Sequence, residues 1–284
     1  MTDWPVGLST GCFYQQPIRE VLETIRNGGF SMIEICSFPA HLDYHNQEKV
    51  RETGLIIRDL GMEPFSFHAP FRDTIDITSL DQKQRDLSVN ELLIAAESAA
   101  EMGVRHFVIH PGPDRSGRPP EAEYVARMEN AGEVLTRVAA HCRKLGMTLV
   151  LENMLPHLLF GRTSDVMWIM GAIQDLNVGI CLDTGHAHIA GAIAATAHKL
   201  SGHLQMIHAN DNNGRWDQHL PPGKGSVDWH RLVGKLADMS FRGGFILELS
   251  SDLGSPAELL RAAQQGRLYL KETFRRAEME RTNG

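Results

Sequence analysis

Residues 178–188 read VGICLDTGHAH, residues 205–219 read QMIHANDNNGRWDQH, and residues 220–225 read LPPGKG. Two apolar runs in this stretch end on Asp183 and on His208. A carboxylate or an imidazole at the tip of a buried strand is poorly placed for packing and well placed for chemistry. His186, Asp217 and His219 follow in the adjoining turns, so five metal-capable side chains fall in one short stretch.

The same unit recurs on both sides. Residues 6–13 (VGLSTGCF) and 32–37 (MIEICS) read as strands, followed by helical patterns over 17–27 and 48–60. FSFHAP leads to a helix over 82–102, HFVIHPG to 121–145, and TLVLENM to 164–176. VGICLDTGH leads to a short helix near 192–200, MIHAND to 228–239, and FILELS to 256–276, after which a polar tail frays. Apolar strands without clean alternation belong to a sheet covered on both faces. Eight strand–helix alternations predict an α/β fold, a (β/α)8 TIM barrel, as a single domain over 1–284. An open doubly wound sheet is the competing architecture. It calls for a glycine-rich phosphate turn after the first strand, which STGCFYQ is not.

A hydrophobic fraction of 42% supplies a sizeable core, and a net charge of −7 argues against a broad nucleic-acid footprint. The four cysteines (Cys12, Cys36, Cys142, Cys181) show no CxxC spacing, as expected of buried free thiols in a reducing compartment. With no leader pattern and no apolar run of about 18 residues, the expectation is a cytoplasmic protein without membrane contact.

Active sites of such barrels gather at the C-terminal strand ends. In order, those ends offer Glu34, His68, His110, Glu152, Asp183 with His186, His208 and Glu248, and the loop after the seventh strand adds Asp217 and His219. So many acids cannot share one site as anions without cations. A mixed imidazole–carboxylate set without thiolate suits Zn2+ or Mn2+, with Fe2+ or Co2+ also compatible, and disfavours Ca2+. Glu34 either touches substrate or pairs with a nearby arginine. Arg115, Arg118, Arg215 and Lys224 lie in loops expected on the same face, where one or two could grip a phosphate or carboxylate. Trp216 and Trp229 either wall the pocket or pack, and His188, His198 and His203 fall off the pattern.

FHAP, VIHPG, LENM, CLDTGHAH, HANDNNG, DQHLPPGKGSVDW and LELS, spanning the third to eighth strands, resemble the xylose-isomerase-like barrel superfamily. It contains sugar and sugar-phosphate isomerases and epimerases, and also endonuclease IV. The resemblance implies a shared metal site at Glu152, Asp183, His208 and Glu248. In the endonuclease-like members it implies two more, at His68, His110 and bridging Glu152, and at His186, Asp217 and His219, hence one to three divalent ions per chain. STGCFYQQP is similar to the isomerase branch and lacks a polar DNA-gripping segment, whereas the Asp217–His219 pair is missing from many such isomerases.

Two mechanisms follow. In a sugar or sugar-phosphate isomerase or epimerase, Glu152 and Glu248 act as base and acid on opposite faces of an enediolate, with His186 on the substrate. In a two- or three-metal phosphoester hydrolase, Glu152 is a bridging ligand unavailable as a base. The expected partner is accordingly a small sugar or sugar phosphate, with DNA as the alternative, and assembly into a homo-oligomer stays open.

Overall fold

A computed structural model of the chain describes residues 3–72, 74–114, 117–191 and 193–283. Its parallel strands close in sequence order: β1 (Val6–Ser9), β2 (Met32–Cys36), β3 (Glu63–His68), β4 (His106–Ile109), β5 (Thr148–Glu152), β6 (Val178–Asp183), β7 (Leu204–Ala209) and β8 (Gly244–Leu247). Closure is made by β8 on β1, with Val6, Gly7 and Leu8 opposite Phe245, Ile246 and Leu247. No sheet edge remains, and the fold is a (β/α)8 TIM barrel.

The covering helices are α1 (Ile18–Asn27), α2 (Gln47–Asp59), α3 (Gln82–Glu101), α4 (Glu121–Lys144), α5 (Thr163–Ala172), α6 (Thr184–Ile189), α7 (Ile193–Lys199), α8 (Trp229–Asp238) and α9 (Pro256–Asn283). In α1 the apolar residues Ile18, Val21, Leu22 and Ile25 fall on one face and are buried against the barrel. Asn46, Asp81 and Asp228 cap α2, α3 and α8 by accepting from backbone N–H groups of the first turn. Among the described residues no helix is long and apolar enough to cross a membrane, and all four cysteines are buried and free.

The structure corrects four sequence expectations. The first strand stops at Ser9, whose hydroxyl accepts from Gly11 N and turns Thr10–Phe13 into a 3₁₀ segment. Helix α5 ends at Ala172, because Ile173 takes extended backbone with ψ 123°. Helix α6, absent from the sequence reading, starts directly off β6 because the Asp183 carboxylate accepts from His186 N at 2.6 Å. The final helix continues to Asn283 instead of fraying, with Ala277 still buried against the body.

Inside the barrel, Met32, Phe65, Val108, Val150, Cys181, Met206 and Ile246 form their own apolar cluster. A strand returns to the same face every second residue. Two residues on from six of these positions stand Glu34, His110, Glu152, Asp183, His208 and Glu248. At β3 the interval is three, Phe65 to His68, because the β2–β3 register slips between Ile33 and Glu34 and leaves Phe65 unpaired. A second slip, between Ile180 and Cys181, sets Asp183 opposite His208. The apolar lumen thus forms the floor beneath a polar layer.

Candidate active site

Glu152, at the end of β5, is the centre of that layer and is almost fully buried. Its Oε2 lies 3.3 Å from His68 Nε2, 3.4 Å from His110 Nε2 and 3.2 Å from His208 Nδ1. Glu248 Oε2 approaches the same His208 Nδ1 to 3.3 Å. Asp183 Oδ1 lies 3.6 Å from His186 Nδ1, and Asp217 Oδ2 lies 3.5 Å from His186 Nε2 and 3.2 Å from His219 Nε2. All nine sequence-predicted ligands are therefore brought to the mouth of the barrel.

Each of the five histidines is anchored through one ring nitrogen and presents the other inward. His68 Nδ1 bonds Ala69 O at 3.0 Å, His110 Nδ1 bonds Asp114 Oδ1 at 2.7 Å, and His186 Nδ1 bonds Asn153 O at 2.8 Å. His219 Nδ1 bonds Glu248 O at 3.0 Å, and His208 Nε2 bonds Glu34 Oε2 at 2.9 Å. Assigning the proton to the anchored nitrogen leaves a lone pair facing the centre in every case, the usual arrangement of metal-ligating imidazoles. Asp183 is oriented too: Asn210 Nδ2 donates to its Oδ2 at 2.6 Å. Gly185 permits this packing, since a Cβ there would sit 2.0 Å from Asn210 Oδ1.

The donor set fits divalent cations. Ligand atoms of His68, Glu152 and His208 lie within 4.8 Å of one another, as do those of His186, Asp217 and His219, and those of Glu152, Asp183, His208 and Glu248. Glu152 Oε2 and His208 Nδ1 are buried and have no hydrogen-bond partner despite their proximity, so both point at a shared space rather than at each other. These groups could hold metal ions.

Without a cation, protons balance the acids. Burial would raise Glu152, but the attraction of His208 and His110 outweighs it and holds the carboxyl well below its usual range. Burial likewise opposes ionisation of Glu248, yet His208 brings it down to about 2. Burial depresses His186 and His219, but Asp183 and Asp217 lift the first to about 9, and Asp217 and Glu248 lift the second to about 10. Asp183 goes the other way, raised by burial and by the nearby Glu152 and Glu248 against the opposing pull of His186 and His219.

Above this layer opens a cleft of about 530 Å3. Its lining combines His68, Asp217, His219 and Glu248 with the aromatic rings of Tyr14, Phe38 and Phe71. The loop that brings Asp217 and His219 to it hangs on Asp211, which sequence reasoning missed. That fully buried carboxylate accepts from Asn212 N, Val227 N, Gly223 N and Trp229 Nε1, all at 2.9–3.0 Å. His219 itself sits at φ 44°, a left-handed conformation of the kind found at functional loops.

Glu34 is fully buried behind His208, bonded to Ser9, Ser66 and His208, and among the described residues it pairs with no arginine. The other expected substrate contacts lie away from the cleft lining or outside the described residues. Arg215 and Lys224 are exposed and do not line the cleft. Arg118 is tied to Asp165 Oδ2 at 2.9 Å, and Arg115 lies outside the described residues. Trp229 packs in the core, while Trp216 is exposed away from the cleft lining.

Comparison with known proteins places the chain among barrels of this construction. A D-tagatose 3-epimerase-like protein of known structure superposes with a TM-score of 0.85 at 25% identity, covering 97% of this chain and 99% of its own. An uncharacterised protein of Methanocaldococcus jannaschii is 29% identical over 256 residues, 87% of this chain and 84% of its own. A probable endonuclease 4 of Mycoplasmoides gallisepticum is 26% identical over 248 residues, 80% of this chain and 73% of its own. The family described as xylose isomerase-like TIM barrel matches residues 22–273, and the chain belongs to that family.

Proposed function

We propose that the protein is a divalent-metal-dependent sugar or sugar-phosphate isomerase or epimerase that moves a proton through an enediolate. The observation that carries this reading is the convergence of Glu152, at the end of β5, and Glu248, just past β8, on His208 Nδ1, at 3.2 and 3.3 Å. They come from opposite arcs of the barrel, so a planar enediolate between them would present one face to each. The likeness to a D-tagatose 3-epimerase-like protein supports the same substrate class.

A cation held by Glu152, Asp183, His208 and Glu248 would polarise the ketose carbonyl and its neighbouring hydroxyl as a Lewis acid. Glu152 takes the proton from the carbon beside the carbonyl, and Glu248, an anion at rest, takes up a proton from water in the cleft and delivers it to the opposite face. His186 and His219 bind sugar hydroxyls, and Asn210 and Glu34 keep Asp183 and His208 in register. The cleft volume suits a small ligand, and Tyr14, Phe38 and Phe71 cover the apolar face of the sugar and exclude water from the enediolate.

A second reading, phosphoester hydrolysis with two or three ions, is favoured by one specific observation. His186, Asp217 and His219 form a separate ligand group beside the four-residue one, and His68 and His110 converge on Glu152. In that reading Glu152 is a bridging ligand with its oxygens engaged, and it is not a base. A panel of ketoses and ketose phosphates, assayed beside an abasic DNA duplex with Mn2+, Zn2+ or Co2+ added back, separates the two. Epimerisation or isomerisation of a sugar is the expected result. Strand cleavage with no sugar turnover would replace it with the hydrolase.

A further inference from the structure

We infer that Glu34 is a positioning residue that fixes which nitrogen of His208 faces the cation site. Four of the five inward-facing histidines are anchored by a backbone carbonyl or by the partly exposed Asp114. His208 alone is anchored by a fully buried carboxylate, with Glu34 Oε2 at 2.9 Å from its Nε2. A carbonyl would suffice to hold the ring. An anion there is costly to bury and earns its place only if its charge acts on the ring.

The surroundings restrict what Glu34 can do. Ser9 Oγ donates to its Oε1 at 3.1 Å and Ser66 Oγ to its Oε2 at 2.8 Å. With both hydroxyls donating, the carboxylate faces His208 as an acceptor, so the Nε2 nitrogen carries the proton and Nδ1 keeps its lone pair toward Glu152 and Glu248. The β-bulge in β3 supports the same arrangement, since the register slip puts Ser66 opposite Glu34. A carboxylate behind a ligating imidazole raises its basicity, and loss of such a partner weakens metal binding by roughly 10- to 100-fold.

This inference rests on the reading that the site takes a cation, but not on which reaction follows. In the Zn2+-loaded wild-type protein, 15N spectra of His208 should show Nε2 protonated and Nδ1 metal-bound. The reverse assignment would overturn the role of Glu34. Titration with Mn2+ should show Glu34→Gln binding roughly 10- to 100-fold more weakly than wild type, with Ser66→Ala intermediate. An unchanged affinity and an unchanged His208 spectrum in a folded Glu34→Gln protein would also overturn it. If Glu34→Gln does not fold, Ser66→Ala and the wild-type spectrum still decide. Failure of the wild-type protein to bind either ion would instead remove the metal-site reading itself.

Discussion

Glu152 Oε2 and His208 Nδ1 lie 3.2 Å apart at the heart of the barrel, both buried, and neither has a hydrogen-bond partner. Two groups so close and so unsatisfied are best explained by a third body between them. Replacing the carboxylate with an amide of the same shape removes both a ligand and the proposed base. Glu152→Gln should lower kcat by at least roughly 100-fold, within the range of general-base losses, and should weaken Mn2+ binding measured by titration. Turnover near the wild-type rate would remove Glu152 from the chemistry.

Asp217 and His219 separate the two readings. If the reaction is epimerisation, Asp217→Asn and His219→Ala remove substrate contacts and raise KM while kcat changes little. Steady-state kinetics on the active sugar gives the answer. Abolition of kcat by both changes would mean that the group with His186 belongs to the reaction itself.

The protonated histidines give a pH signature with opposite signs for fold and ligand. His186 and His219 are raised from 6.5 to about 9 and about 10. In the metal-free protein their contribution to stability is fully present below pH 6.5 and is lost as the pH rises through about 9 to 10. Glu248, lowered from 4.5 to about 2, contributes stability above pH 4.5 that is lost as the pH falls through about 2. A cation taken up by His208, which is raised well above 6.5 in the metal-free protein despite its burial, must displace that imidazole's proton, so affinity should rise with pH. Calorimetric titration in buffers of different ionisation enthalpy should register proton release. Binding without any release would contradict this charge balance.

The strand-end ligands were legible because the barrel repeats a simple rule: an apolar lumen residue, then a polar one two positions later, as in Val150 and Glu152 or Cys181 and Asp183. What escaped the sequence depends on register and on loop geometry. Glu34 was recognisable as a strand-end acid, but nothing in the sequence reveals the slip that sets Ser66 opposite it, or its bond to His208. Helix α6 was missed because it is six residues with a glycine, started by Asp183 rather than by an apolar pattern. Arg215 and Lys224 shared the expected face of the barrel, yet their exposure could be known only once the loop was traced.

Asp211 yields a prediction about stability. Removing its carboxylate strands four buried or partly buried donors that now share it. Asp211→Ala should cost at least about 3 kcal/mol, given typical values for hydrogen bonds to a charged acceptor, and urea unfolding measures it. Gly225→Ala should also be harmful, since its Cβ would fall 2.3 Å from Asp211 Oδ1. A change within the error of the urea curve in both variants would show that the loop holds its shape without this hub.

Cations draw these acids and imidazoles together and are needed for turnover in the proposed reaction. Metal analysis of the purified protein, before and after dialysis against a chelator and with the sugar panel run on each sample, tests it most directly. An isomerase should hold about one tightly bound divalent ion per chain, lose turnover with its removal, and recover on addition of Mn2+, Zn2+ or Co2+. A chain that holds no divalent ion at any stage, and converts sugar equally well after chelation, would contradict it.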